Sequence, residues 1–207
     1  MSSTNDKLIR SALRNILNKD LGKCRSESDQ PVEIFEEFSV RHGTARIDIA
    51  VINGIMHGYE IKSDSDTLKR LPEQVNEFNS VFDKLTLVVG KRYLYDAINI
   101  IPDWWGIIIA KIGGNSKVFF QTIREAEVNQ NQISVSIARL LWKEEALQIL
   151  EEKNRANGVR SKSCEFIYER LADVLDANTL KEKVQNVLLV SRKDWRSYEQ
   201  LVLNDGL

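Results

Sequence analysis

The fold of this chain is decided by residues 41–62, which read RHGTARIDIAVINGIMHGYEIK. Apolar and polar residues alternate with a period of two before and after the Asn53-Gly54 dipeptide. Because alternation interrupted by Asn-Gly is a strong signal for a β-hairpin, we expect two antiparallel strands here. One face of the hairpin is expected to be apolar and to carry Ile47, Ile49, Tyr59 and Ile61.

The length of the connecting loop decides whether the charged residues Asp48, Glu60 and Lys62 share the other face. A two-residue loop would place Asp48 and Glu60 on opposite faces of the hairpin. A three-residue loop over residues 52–54, with its glycine in the left-handed conformation, shifts the register by one. Asp48 then lies opposite Gly58 and diagonal to Glu60, about 7–8 Å away at the backbone. We favour this register, or a bulge with the same effect, because it also gathers the apolar residues on one face.

Two carboxylates and a lysine on one polar sheet face predict a cation site. Asp48 and Glu60 would repel each other unless a divalent cation lay between them. Mg²⁺ suits such a site, because it is a hard cation that accepts one or two carboxylates together with water and phosphate oxygens. Lys62 points the same way and can stabilise a developing negative charge or orient a water. The alternative is an exposed hairpin whose charges are simply solvated.

The order and spacing of these residues resemble the PD-(D/E)XK nuclease superfamily, which has the restriction-endonuclease-like fold, in a bacterial or phage branch. The matching residues are Gly43-x-x-Arg46-x-Asp48, then Glu60-Ile61-Lys62, and then Gln74 on the next predicted helix. Ile47 replaces the proline that usually precedes the aspartate, and Phe78 stands where RecB-like members carry a tyrosine. The resemblance extends over residues 30–110.

The resemblance implies a metal-dependent nuclease that hydrolyses phosphodiester bonds in nucleic acid, with DNA favoured over RNA. Its cofactor would be Mg²⁺ or Mn²⁺. It assigns Asp48, Glu60 and Lys62 as the catalytic residues. The metal ligands would be Asp48, Glu60, the Ile61 carbonyl and Glu37. Gln74 and Arg46 would be supporting residues. Lys62 would position or activate the attacking water.

Three of these assignments have alternatives. The extra acid of the family often comes from the first helix, and the predicted helix over residues 6–19 contains no glutamate, so Glu37 in the next strand is an open candidate. Arg46 falls opposite Glu60 in the favoured register, where it can form a plain cross-strand ion pair. Gln74 lies at the edge of an apolar stripe and can equally be a helix-surface amide.

The rest of the chain predicts an α/β fold, in which a mixed central sheet is flanked by helices and followed by a C-terminal helical region. Expected helices cover residues 6–19, 93–100 and a stretch from Leu68 to Phe82 that Pro72 kinks or begins; expected strands cover 32–40, 85–90, 104–111 and 117–121. The apolar runs at 85–90 and 104–111 are separated by a helix, which predicts parallel pairing. Three helices follow from about residue 134, the first over Ile137–Leu150. The predicted division is a nuclease-like core of residues 1–121 and a helical region of residues 122–207 packed on it.

Composition limits the classes of partner. The net charge of −1 over 207 residues does not by itself indicate a polyanionic partner, so a nuclease would need a local basic surface. Arg10, Arg14 and Lys19 lie off the apolar stripe of the first helix and are expected on a solvated face in preference to a phosphate contact. The two cysteines have no metal-ligand spacing and fit a reducing cytoplasm, and no apolar run is long enough to span a membrane. A homodimer or a partner protein is compatible with the sequence.

Two other function classes compete with the nuclease. One is a non-catalytic nucleic-acid-binding module that retains the nuclease fold, since fold does not fix activity. The other is a protein-interaction module whose C-terminal helices make the contacts. Metal binding distinguishes the nuclease from both, and strong salt dependence of binding distinguishes the nucleic-acid-binding module from the interaction module.

Overall fold

A computed structural model describes residues 4–27, 32–40, 43–113 and 117–191 of the chain. Within those residues, six strands form one mixed sheet: β1 Glu33–Val40, β2 Ala45–Ile52, β3 Met56–Lys62, β4 Lys84–Gly90, β5 Gly106–Ile112 and β6 Val118–Arg124. The helices are α1 Asp6–Glu27, α2 Leu71–Asn79, α3 Leu94–Ile98, α4 Ser134–Ala138, α5 Lys143–Glu152, α6 Cys164–Val174 and α7 Ala177–Ser191, with a 3₁₀ turn at Lys91–Tyr93. The predicted α/β class, with a mixed sheet and a C-terminal helical region, is confirmed.

The strands lie in the sheet in the order in which they occur along the chain. β1, β2 and β3 are antiparallel neighbours, β3, β4 and β5 are parallel, and β6 is antiparallel to β5. Each parallel step contains a helix, α2 or α3, because parallel neighbours need a long crossover connection. The predicted parallel pairing of β4 with β5 is confirmed.

Helices cover both faces of the sheet. α1 lies over one face and forms a small hydrophobic cluster with it, built around Ile9, Leu13, Ile49 and Ile61. α2 and the C-terminal helices share a larger cluster with the opposite face, which joins residues such as Leu87 of β4 to Leu141 and Leu188. Buried apolar residues of the C-terminal helices thus belong to the same hydrophobic cluster as this face of the sheet. No helix in the described residues is both long and apolar enough to cross a membrane.

Several boundaries differ from the prediction. α1 continues past residue 19 to Glu27, because the buried Leu21 extends its apolar stripe by one turn. α2 begins at Leu71 with Pro72 in its first turn, so the proline marks a helix start and causes no kink. The helix expected over Ile137–Leu150 is divided into α4 and α5. Its second half restarts at Lys143, where the Glu145 carboxylate accepts a hydrogen bond from the backbone N–H of Trp142 at 2.7 Å.

The β2–β3 hairpin has a three-residue loop, as predicted, but the loop is Asn53–Ile55 and lies one residue further along. Ile52 pairs with Met56 because its side chain is fully buried and stays in the sheet. Gly54 adopts the expected left-handed conformation, with a φ of 84°. The predicted pairing of Asp48 with Gly58 is wrong, since Ala50 occupies that position.

The placement of Arg46 opposite Glu60 is also wrong. Continuing the observed register from Ile49 and Tyr59 brings Asp48, and not Arg46, level with Glu60. Arg46 is exposed, and its backbone instead lies opposite Ser39 of β1. Arg46 therefore lies two residues away from the position opposite Glu60, which excludes the cross-strand ion pair between them.

Candidate functional site

β1 loses its regular alternation at Glu37, whose φ is 51°. Phe35 and Phe38 both pack in the larger cluster, although an odd and an even position of a regular strand would face opposite ways. The irregularity turns both Glu36 and Glu37 toward α1, where their carboxylates pair with arginines, that of Glu37 with Arg10. A left-handed backbone costs a non-glycine residue about 1–3 kcal/mol, so the surrounding contacts must hold it.

β2 changes face at the same level, at Asp48. Ile47 packs in the larger cluster and Ile49 in the smaller one, so the prediction that they share a face is wrong. The pairing of β2 with β3 ends at Ile49 and Tyr59. Beyond that point the Asp48 side chain replaces the backbone, because its Oδ2 accepts a hydrogen bond from the Ile61 N–H at 2.6 Å. Asp48 is thereby fixed beside β3.

The predicted site residues surround one cavity of about 900 Å³, bounded by α1, the β1–β3 strands and α2. Its wall includes Glu37, Arg46, Asp48, Glu60, Ile61, Lys62 and Gln74. Seven acidic residues line it (Asp6, Glu37, Asp48, Glu60, Asp66, Glu73, Glu77) against four basic ones (Arg10, Arg46, Lys62, Arg70), an excess of three acids. When its acids are ionised, such a cavity attracts cations and repels an anion that arrives alone.

Glu60 is the most deeply buried acid of this wall, with 2% of its surface exposed. Its Oε1 accepts hydrogen bonds from Lys62 Nζ at 2.6 Å and from Gln74 Nε2 at 2.7 Å. Its Oε2 is buried and has no hydrogen-bond partner among the described residues, and the same holds for Gln74 Oε1. Burial raises the pKa of Glu60, against the opposing effects of Lys62 and Gln74. Gln74 thus contacts the site and is no surface amide.

Asp48 is the second acid in contact with β3. Burial, together with the charge of Glu60, raises the pKa of Asp48 to about 7, although the Ile61 N–H and Arg10 act in the opposite direction. A carboxyl with this pKa is partly protonated at neutral pH. Additional positive charge near Asp48 and Glu60 would favour the ionised form of both.

Arg10 is a member of the site that its position in the sequence did not reveal. Its Nη2 lies 2.5 Å from Asp48 Oδ1 and 2.9 Å from Asp6 Oδ2, and its Nη1 pairs with Glu37. Its position off the apolar stripe of α1 predicts a solvated side chain, yet only 19% of this side chain is exposed. The signal in the sequence is weak, an Asp6–Arg10 spacing of four that is common on helix surfaces.

The oxygen atoms of this site fit a hard divalent cation. The Ile61 N–H points toward Asp48, and the carbonyl of the same residue lies on the same strand edge, since a strand residue directs both groups to one neighbour. Asp48, Glu60 with its partnerless Oε2, and Ile61 line the same cavity and are its candidate oxygen ligands. No group of three or more His, Cys, Asp or Glu side chains in the described ranges is arranged to hold a metal. Two carboxylates completed by carbonyl and water oxygens are ligands that Mg²⁺ and Mn²⁺ generally accept.

Comparison with known proteins finds a matching family, a partial relative and a similar solved structure. The family model described as "Bacteriophage P4 protein cII" matches residues 3–202. "Protein cII" of Enterobacteria phage P4 is 34% identical over 95 residues, which cover 46% of this chain and 36% of that protein. The aligned part is thus about a third of that relative's length. A protein of unknown function from Silicibacter pomeroyi is similar in structure over 64% of this chain and 86% of its own, with 17% identity and a TM-score of 0.37.

Proposed function

The chain belongs to the bacteriophage P4 protein cII family, and for it we propose the activity of a metal-dependent nuclease of the PD-(D/E)XK type. The substrate is nucleic acid, DNA in preference to RNA. The observation that carries the proposal is that Asp48, Glu60 and Lys62 line one cavity. They lie on the two strands of one hairpin, in the order and spacing by which the sequence resembles this type of nuclease.

Each residue of the cavity has a role in this proposal. Asp48, Glu60 and the Ile61 carbonyl hold Mg²⁺ or Mn²⁺, which when bound polarises the phosphate and lowers the pKa of a water. Lys62, whose Nζ lies 2.6 Å from Glu60 Oε1, orients the attacking water and offsets the negative charge that grows on the phosphate. Gln74 binds the same oxygen of Glu60 and leaves Oε2 to the cation.

The charge of the cavity makes substrate binding depend on the cation. The cavity wall carries three more acidic than basic residues, so an approaching phosphodiester is repelled until positive charge is added. The exposed Arg46 and Arg70 lie in the same wall and supply contacts for the flanking phosphates. The divalent ion is therefore expected to promote binding of nucleic acid as well as its cleavage.

A cleavage panel tests the proposal. Linear, nicked, branched and single-stranded DNA and an RNA are incubated with the parent protein, with and without Mg²⁺ or Mn²⁺. Asp48→Asn and Glu60→Gln should abolish cleavage, whereas Lys111→Ala, a lysine outside the cavity that bonds Gln121 at 2.7 Å, should cleave like the parent. Cleavage that survives in Asp48→Asn would exclude this site. Salt-sensitive binding of nucleic acid without turnover would favour the non-catalytic module.

A further inference from the structure

Arg10 is enclosed by acids at the edge of the proposed cation site. Its guanidinium contacts Asp6, Glu37 and Asp48, and its buried Nε has no hydrogen-bond partner among the described residues. Only 15% of the Asp48 side chain is exposed, so the Arg10–Asp48 pair is weakly screened by solvent. Arg10 therefore holds one of the two carboxylates on which the proposed site depends.

We propose that Arg10 is a displaceable counter-ion of Asp48, which holds this carboxylate in the cation-free protein and yields it to the divalent cation. When it yields, Arg10 remains paired with Glu37 and Asp6. The inference rests on the proposed function, because it takes Asp48 and Glu60 as cation ligands. It adds that the affinity for the cation is set by competition with a side chain of α1.

The contacts of the two carboxylates show where this competition takes place. Asp48 Oδ2 is occupied by the Ile61 N–H and Oδ1 by Arg10, whereas Glu60 keeps a partnerless Oε2. A cation that approaches from the Glu60 side meets the positive guanidinium at Asp48. At such short distances and low exposure the repulsion is large, so full coordination by Asp48 requires the guanidinium to move away.

Glu37 gives the released guanidinium a partner. Its left-handed backbone turns the carboxylate toward Arg10, and Asp6 lies one helical turn before Arg10 on α1. Removing one partner from a buried ion pair is costly when a charge is left uncompensated. Arg10 keeps two other carboxylates, which lowers the cost of leaving Asp48. The irregular backbone at Glu37 thus acquires a function in this arrangement.

Calorimetric titration of Mn²⁺ into the full-length protein tests the inference without measuring cleavage. Arg10→Met keeps an unbranched apolar stem and removes the charge, so it should bind Mn²⁺ on the order of tenfold more tightly than the parent, the equivalent of one charged hydrogen bond. Arg10→Lys keeps a positive charge and should remain close to the parent. Arg14→Met is the matched control, since Arg14 joins α1 to Glu36 of β1 with Nη1 and Oε1 2.5 Å apart but does not line the cavity.

The outcomes separate the inference from the proposed function. Tighter binding by Arg10→Met alone supports the inference, including the case in which the parent shows no measurable binding. Unchanged or weaker binding by Arg10→Met overturns it, as does an equal gain in Arg14→Met, which would reflect looser packing of α1. If neither the parent nor Arg10→Met binds Mn²⁺, the cation site itself fails, and the inference fails with it. Thermal unfolding without metal verifies that each variant is folded.

A double-mutant cycle assigns the role of Glu37. Glu37→Gln in the parent should weaken Mn²⁺ binding, because Arg10 then relies more strongly on Asp48. In the Arg10→Met background the same substitution should have no effect, since the guanidinium is gone. A loss of affinity in both backgrounds would make Glu37 a direct ligand and overturn its role as the alternative partner of Arg10.

Discussion

Asp48 Oδ2 and the backbone N–H of Ile61 are joined by a hydrogen bond of 2.6 Å, which links two strands where their backbone pairing has ended. A side chain has therefore taken the place of a main-chain carbonyl. The bond fixes one carboxylate beside the segment that carries Glu60 and Lys62. The same contact serves stability and, in the proposed mechanism, cation binding, and substitutions can separate the two.

Asp48→Asn should retain the fold and lose the cation. The amide oxygen can still accept the Ile61 N–H, whereas a neutral amide is a poor ligand for Mg²⁺. Asp48→Ala leaves that N–H without its acceptor, which should lower the free energy of unfolding by about 1–3 kcal/mol. Denaturant unfolding and Mn²⁺ titration of both variants measure the two effects. Equal stability of the two variants would show that the hydrogen bond contributes nothing.

The metal-free protein should lose stability as the pH rises toward neutrality. The pKa of Asp48 is raised from 3.8 to about 7, so between these values the folded state binds more protons than the unfolded state. The free energy of unfolding then falls with increasing pH across this window, and Glu60, whose pKa is also raised, acts in the same direction. Unfolding curves at several pH values, with a chelator present, measure the slope. Asp48→Asn should show a smaller slope, and an unchanged slope would contradict the shift.

The central part of the fold follows from local sequence patterns. Alternation around Asn53-Gly54 predicts the hairpin, and the continuous apolar runs at 85–90 and 104–111 predict the buried parallel strands. The spacing of Asp48, Glu60 and Lys62 predicts their approach to one cavity, which the structure contains. Each of these signals is carried by residues close together in the chain.

Other features depend on contacts that the sequence does not display. The predicted register of the hairpin differs from the observed one by two residues, because the buried Ile52 pairs with Met56 and remains in the sheet. A Glu-Glu pair gives no sign of a left-handed backbone at Glu37. The sequence predicts a solvated Arg10 because the residues that enclose it, such as Asp48, come close only when α1 packs on the sheet. Packing between distant segments, and not local propensity, decided all three.

Gln74 should tune the buried carboxylate of Glu60. Its Nε2 lies 2.7 Å from Glu60 Oε1 and helps to hold the pKa of Glu60 down. Gln74→Met removes this hydrogen bond at nearly constant volume and should weaken Mn²⁺ binding by roughly tenfold, the value of one hydrogen bond to a charged group. The exposed Asn76 on the same helix provides the control Asn76→Ala, which should bind like the parent. If both variants bind Mn²⁺ with equal affinity, Gln74 does not tune the Glu60 carboxylate and its role is structural.

Lys62 should act on the rate of cleavage rather than on the cation. Its Nζ lies 2.6 Å from Glu60 Oε1 and lowers the pKa of that buried carboxyl, so Lys62→Ala must be compared with the parent at alkaline pH, which favours the ionised form of Glu60 in both. Under that condition Mn²⁺ and substrate affinities should change little. The single-turnover rate should fall by about 10²–10³, because an interaction made mainly in the transition state is lost from turnover and not from binding.

The matched control for this prediction is Lys111→Ala, which removes a lysine of β5 that lies outside the cavity. Its single-turnover rate should equal that of the parent. A pH–rate profile of Lys62→Ala separates two explanations, since a lysine that only keeps Glu60 ionised would be fully compensated at alkaline pH. Recovery of the parental rate there would remove Lys62 from the catalytic set and leave it as a residue that positions Glu60.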